Sequence, residues 1–310
     1  MKYSFVKNFI FPVVAALIWG TAFVAQSVGA EHVPPFTFNA ARSLIAVVAL
    51  TVILLIWEGI KRRRGDTQKA SGGIKSLLIG GFCCGTVMCI AASLQQIGLG
   101  ETDAGKASFI TAMYLVLVPI LGLFLHRRTS IVTAVSVAIS VVGLYLLCVS
   151  ESFSIQGSDV YILLCALCFA IHILVIDHFA PKTDGIALSL VQFIVMAAES
   201  AVAAAIFERP TGAGILMALG QILYVGIFSS GVAFTLQILA QKDSDPTVVT
   251  LLLSLESVFG AIAGAIILHE VMSGREYLGC ALMLCAVLLS QIPVEVWKKL
   301  FKKRPTESER

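Results

Sequence analysis

Charge is what this sequence has least of. Of its 310 residues only 13% are charged, while 58% are hydrophobic and the mean hydropathy is +0.92. That balance excludes an ordinary soluble domain, which needs a charged surface around a single core. Patterns that carry chemistry are missing too. GxxxxGK[ST], HExxH and GxSxG do not occur, which removes an ATP-driven pump, a zinc protease helix and a nucleophile elbow from consideration. No catalytic residue, cofactor or metal ligand is expected. The eight cysteines (83, 84, 89, 148, 165, 168, 280 and 285) all fall in apolar stretches. Cys165 and Cys168 form a CxxC with no second pair and no histidine at ligand spacing, so the thiols read as small packing residues.

What remains is membrane. Ten apolar runs are long enough to cross a bilayer: Phe9–Gly29, Pro35–Trp57, Ile74–Leu99, Gly105–Leu125, Ser130–Val149, Asp159–Phe179, Gly185–Phe207, Gly214–Ala240, Pro246–Leu268 and Arg275–Pro293. The segments joining them are short and leave no room for an extramembrane domain. The first run follows lysines as a signal peptide does, but it is too long, and it has a counterpart later in the chain. With both termini placed inside, the inner segments hold 18 Lys or Arg and the outer loops hold Lys106, Arg209 and Arg275. The positive-inside rule therefore gives cytoplasmic termini and an even number of spans, with Trp57 and Trp297 as interfacial anchors. Membrane flanks account for the basic runs, so nucleic acid is not an expected partner.

The chain also repeats itself. LIWGTAFVAQ (17–26) lies over LCFAIHILVI (167–176) at an offset of 150, which also sets Arg42 over Gln192. SLQQIGLGETDAGKASF (93–109) lies over TLQILAQKDSDPTVVTL (235–251) at an offset of 142, which matches Gln95 to Gln237 and Gly122 to Gly264. Residues 1–150 and 151–293 thus read as two five-helix halves, with a basic cytoplasmic tail at 294–310. An odd number of spans per half inserts the second upside down. Inverted repeats are the usual build of secondary transporters, which exchange inward-open and outward-open states.

The stretch Pro246–Glu270 carries one carboxylate, Glu256, about 15 Å into its span and hence near the midplane. An ionisable group at that depth is a functional candidate by default. Gly260 and Gly264 share its helix face. Trp19 and Tyr114 fall at about the same depth, with Thr86 and Ser254 nearby, so these five form an expected substrate pocket. Glu256 is read as a coupling residue, as a neutral acid bonded across a helix interface, or as the partner of Arg42 or His172. Glu199 and His172 are further coupling candidates. Arg42, Gln95, Gln237, Gly260 and Gly264 are read as structural or gating residues. Gly81-xxx-Gly85, Gly226-xxx-Ser230 and Gly260-xxx-Gly264 mark close helix contacts. Spans five and ten, nearly free of charge, are read as lipid-facing supports or a homodimer surface.

The runs PVVAALIWGTAFV, LQQIGLGETDAGKASFITAMYLVLVPILGLFLHRR and SLESVFGAIAGAIILHE resemble the EamA-type branch of the drug/metabolite transporter superfamily, over essentially the whole chain. The resemblance implies an all-α polytopic carrier of the bacterial inner membrane with a central cavity, often an exporter of amino acids or related metabolites. In the second half the family often reads leucine, glutamate, proline. Here Ser257 stands in the proline's place, and Pro119 is the expected helix break of the other half. The expected function is therefore alternating-access movement of a small polar or amphipathic metabolite, with protons as a candidate coupling ion. Two rivals stay open: an exchanger of nucleotide sugars or nucleosides, for which Arg42 is the lone intramembrane cation, and a membrane scaffold or receptor.

Overall fold

The structure, a computed structural model, describes residues 6–63, 72–102, 104–126, 129–149, 156–267 and 272–292, and every regular element among them is helical. The basic tail, Trp297, Arg64, Arg127 and Arg128 lie outside the described residues, as does the side chain of Gly264. Among the described residues nine helices are long and apolar enough to span: Val6–Ala30, Pro35–Arg63, Gly73–Leu99, Lys106–Phe124, Ile131–Cys148, Gly157–Lys182, Gly185–Phe207, Leu219–Gln241 and Pro246–Ala263. A tenth, Gly274–Ser290, completes the expected set.

The surface is inverted relative to a soluble protein. Leu44, Val48, Val52 and Leu55 form an exposed apolar stripe at helical spacing on span two, whereas Asn39 and Arg42 of the same helix are buried. Lipid suits the first group, and neighbouring helices must satisfy the second. Several helices begin on side-chain caps: Ser130, Asp184, Thr211, Asp245 and Ser273 each accept from backbone N–H groups of the first turn. Span two is capped from the other half. Glu208 accepts from the Phe36 and Thr37 backbone N–H groups, each at 2.8 Å, and from Thr37 Oγ1 at 2.7 Å.

Packing respects the repeat. Span three lies against spans six and seven, and span eight lies against spans one and two; span four packs on six, and nine packs on one. Spans two and seven pair, as do five and ten, so exchanging each helix for the one five places away leaves the scheme unchanged. The small-residue patches sit where the halves touch. A Cβ on Gly81 or Gly85 would run into Val191, Val195 and the Gln192 carbonyl; one on Gly226 would meet Ile45 and the Arg42 carbonyl. Spans five and ten cross with Gly143 against the Gly279 carbonyl.

Spans four and nine are both broken at mid-height. Span four divides into Ala104–Thr111 and Tyr114–Phe124, and span nine into Pro246–Leu253 and Glu256–Ile267. The interruptions, 112–113 and 254–255, stand 142 residues apart, as the sequence offset requires. Their hydrogen bonds also match: Met113 N to Ile110 O and Leu115 N to Ala112 O in one, Leu255 N to Leu252 O and Ser257 N to Ser254 O in the other. These are tighter, 3₁₀-type closures. Pro119 lies inside the helix that follows, so the expected proline break is replaced by one six residues earlier. The matching segment of span nine, Glu256–Ile267, contains no proline.

Candidate functional site: a central cavity

A partly open cavity, with about 520 Å³ of empty space counting its mouth, lies between the halves. Its wall is built largely from offset-related pairs: Trp19 with Phe169, Phe23 with Ile173, Gln95 with Gln237, Thr111 with Leu253, and Tyr114 with Glu256. Tyr114 and Glu256 are the first residues of the second segments of spans four and nine. Each follows a tightened 3₁₀-type turn, and the two meet: Tyr114 Oη donates to Glu256 Oε1 at 3.0 Å. Both are buried.

Glu256 is set in place by a backbone crossing. A Cβ on Gly20 would stand 2.5 Å from the Glu256 carbonyl oxygen and 2.7 Å from Gly260 N, so span one touches span nine with nothing between them. Trp19, one residue earlier, reaches span eight, where its Nε1 donates to the Ser229 carbonyl at 3.4 Å. That carbonyl belongs to a π-helical stretch, Val225–Ala233, and also caps it by accepting from Phe234 N. Phe234 stacks tilted on Trp19, with centroids 4.6 Å apart, and meets Phe193 and His172 edge-on.

Four wall residues break the pairing: Gln26, Arg42, Ser229 and Phe234. Arg42 Nη1 donates to Gln26 Oε1 at 2.9 Å. Its offset mate Gln192 is turned away from the cavity, and its Oε1 lies 3.2 Å from His172 Nε2. One half thus places a guanidinium at the cavity where the other hides an amide.

The structure places Trp19, Tyr114 and Glu256 on the cavity wall together with Arg42, Gln95 and Gln237. Thr86 is not there: its hydroxyl donates to Glu199 Oε1 at 2.6 Å, between spans three and seven. Ser254 is buried off the wall and donates to the Leu251 carbonyl, while its neighbour Leu253 lines the cavity instead. Glu256 forms an ion pair with neither Arg42 nor His172, since these hold Gln26 and Gln192. Arg42 is thereby anchored to an amide side chain. Gln95 Nε2 reaches Thr111 Oγ1 at 3.5 Å, and Gln237 Oε1 has no partner. Sequence reasoning missed Phe23, Gln26, Thr111, Phe169, Ile173, Ser229, Phe234 and Leu253. Carrying Trp19 and Phe23 across the offset of 150 would have found two of them.

The chain matches the model of the EamA-like transporter family twice, over residues 7–149 and 156–291. It is 28% identical over 284 residues to a protein of Archaeoglobus fulgidus described as an uncharacterized transporter, covering 90% of this chain and 84% of that one. An uncharacterized transporter of Bacillus subtilis, YoaV, is 24% identical over 280 residues, covering 88% and 93%. A WAT1-related chloroplastic protein of Arabidopsis thaliana is 28% identical over 288 residues, covering 89% and 67%. A crystal structure with 18% identity superposes with a TM-score of 0.72 over 95% of this chain and 99% of the other, a likeness of fold alone.

Proposed function

For this chain, which belongs to the EamA-like transporter family and is a multi-pass membrane transporter and not an enzyme, we propose proton-coupled movement of one small polar or amphipathic metabolite by alternating access. Glu256 is the proton-carrying group and the central cavity is the binding site. The observation that carries this reading is the Tyr114–Glu256 hydrogen bond between the two interrupted helices. A single acid joins the mid-height breaks of both halves, so any rocking of one half against the other must stretch or reset that contact. Its surroundings suit a small ligand: aromatic walls, a few amides, one cation and one acid.

Among the described residues only Arg42 supplies a cation to the wall, which disfavours a nucleotide sugar, whose two phosphates need more. A scaffold or receptor would not require an acid and a guanidinium on a cavity wall. We place the protein in a bacterial inner membrane with both termini in the cytoplasm, because Lys7, Lys61, Lys182 and Lys242 gather at the end where the chain starts. Within that cluster Lys7 pairs with Asp243 and Lys61 with Asp184. Export is the direction taken from the family resemblance.

Counterflow in proteoliposomes with pooled labelled amino acids, nucleosides and sugars, at two pH values, tests the proposal. Exchange of one class that responds to pH in the wild type and not in Glu256→Gln is expected. Equal exchange with the same pH response in both proteins would remove Glu256 from coupling.

A further inference from the structure

We infer that Arg42 is the seat for a single oxyanion group, carboxylate or phosphate, on the transported molecule; this rests on the carrier reading above. Arg42 is 3% exposed, lies within span two and lines the cavity. A guanidinium is charged at every accessible pH and offers five N–H donors. One is used on Gln26 Oε1, while the Nε–H has no partner. No carboxylate among the described residues pairs with it. Glu256, the acid on the same wall, already accepts from Tyr114. A buried cation with unused donors is costly to keep unless something else answers it.

The partner that Arg42 does hold is itself fixed. Gln26 Nε2 donates to the Ala22 carbonyl at 3.3 Å, and Gln96 Nε2 donates to the Gln26 carbonyl at 3.0 Å. The amide is thereby oriented with its oxygen toward Arg42, which holds the guanidinium at the wall and leaves its other donors for a ligand. The opposite half offers the complement. Gln237 is 2% exposed, lines the cavity and presents an Oε1 with no partner. An anionic group on Arg42 and an N–H or O–H donor toward Gln237 define a small molecule with one acidic end.

Binding to the purified full-length protein in nanodiscs tests the seat directly. Propionate and phenylacetate are compared with propionamide and phenylacetamide, which match them in shape without the charge, and methyl phosphate is the phosphate probe. Thermal shift and calorimetric titration give the affinities. We expect the carboxylates or the phosphate to bind about tenfold or more tightly than the amides, as a charge-assisted hydrogen bond implies; whichever wins names the anion. Arg42→Gln should abolish the preference and Arg42→Lys should restore part of it. Equal binding of acid and amide, a preference that survives Arg42→Gln, or no anion binding would each overturn the inference. The wild-type comparison decides even if the variants fail to fold. Counterflow of the same probes separates the two readings. Exchange with no anion preference keeps the carrier and removes the seat, whereas anion-selective binding without any exchange keeps the seat and removes the carrier.

Discussion

Gly20→Ala is the most informative single change, because a methyl group there has nowhere to go. Its carbon would lie 2.5 Å from the Glu256 carbonyl oxygen, 2.7 Å from Gly260 N and 3.0 Å from Phe259 Cβ. Two of the three obstacles are backbone, so no rotamer change relieves them. Ordinary contact needs roughly 3.4 Å or more, so spans one and nine must part by nearly 1 Å. The nearest interruption of the span-nine helix is at 254–255, and the segment that follows it begins with Glu256. Moving that segment away by the same amount would stretch the 3.0 Å bond to Tyr114 beyond hydrogen-bonding range. Overpacking of this kind costs about 1–3 kcal/mol. The expected result is a thermal midpoint in detergent several degrees lower, together with loss of the pH dependence of exchange. Gly220→Ala is the matched control: its Cβ meets nothing within 4 Å and it lies in a helix, so up to about 1 kcal/mol of stabilisation is expected. A Gly20→Ala protein as stable and as pH-responsive as the wild type would show that spans one and nine do not cross at this point.

The Tyr114–Glu256 contact should appear as coupling in a double-mutant cycle of Tyr114→Phe and Glu256→Gln. Reversible unfolding should give an interaction energy of about 0.6–1.7 kcal/mol, and strict additivity would mean that the hydrogen bond does not form. Glu208→Ala removes the acceptor for two first-turn N–H groups of span two and should cost about 1–2 kcal/mol; Glu208→Gln should lose less, and an unchanged midpoint would refute the cross-half cap. At Asp184, burial alone would push the carboxyl up, but the Lys61 ammonium at 2.8 Å and the Ile186 and Ala187 N–H groups outweigh it and hold the acid below the usual aspartate range. Its stabilisation is therefore present above about pH 4 and is lost as pH falls through the lowered value. Asp184→Asn, which keeps the helix cap, should lower the midpoint slightly near neutrality, by less than about 1 kcal/mol because the pair is partly exposed. The gap should close in acid; a constant gap from pH 7 to 3 would contradict that origin.

The fold was almost wholly legible because lipid imposes simple rules: length, hydropathy and charge placement mark the spans, and self-similarity marks the halves. The site was legible in height but not in direction. Depth is a linear function of residue number, about 1.5 Å per residue, and it puts Trp19, Tyr114 and Glu256 at one level, where the structure also has them. Azimuth turns by 100° per residue, so an error of one position points a side chain elsewhere. Ser254 and Leu253 differ by that single step, and the leucine faces the cavity. Thr86 stands at the right height on a helix whose preceding residue, Gly85, presses on span seven, and so it meets Glu199 and not the cavity. The π-helical stretch that aims Phe234 and the Ser229 carbonyl has no mate in span three and no propensity signal, because one extra residue in a turn is fixed by packing and not by composition.

The repeat also explains why the exceptions matter most. A cavity built from two copies of one helix set starts with equivalent walls, and equivalent walls would bind a ligand equally well in two opposed orientations. Function then resides in the positions where the copies differ. Tyr114 faces Glu256, Arg42 answers a Gln192 withdrawn to His172, and Phe234 stands where Ala92 occupies the other half. Each difference gives the cavity a direction, with one acid, one cation and one aromatic hub. The paired residues fix where the cavity is. On the proposed reading, the unpaired ones set which way round a molecule sits in it, and that asymmetry gives the two ends of the cavity different chemistry.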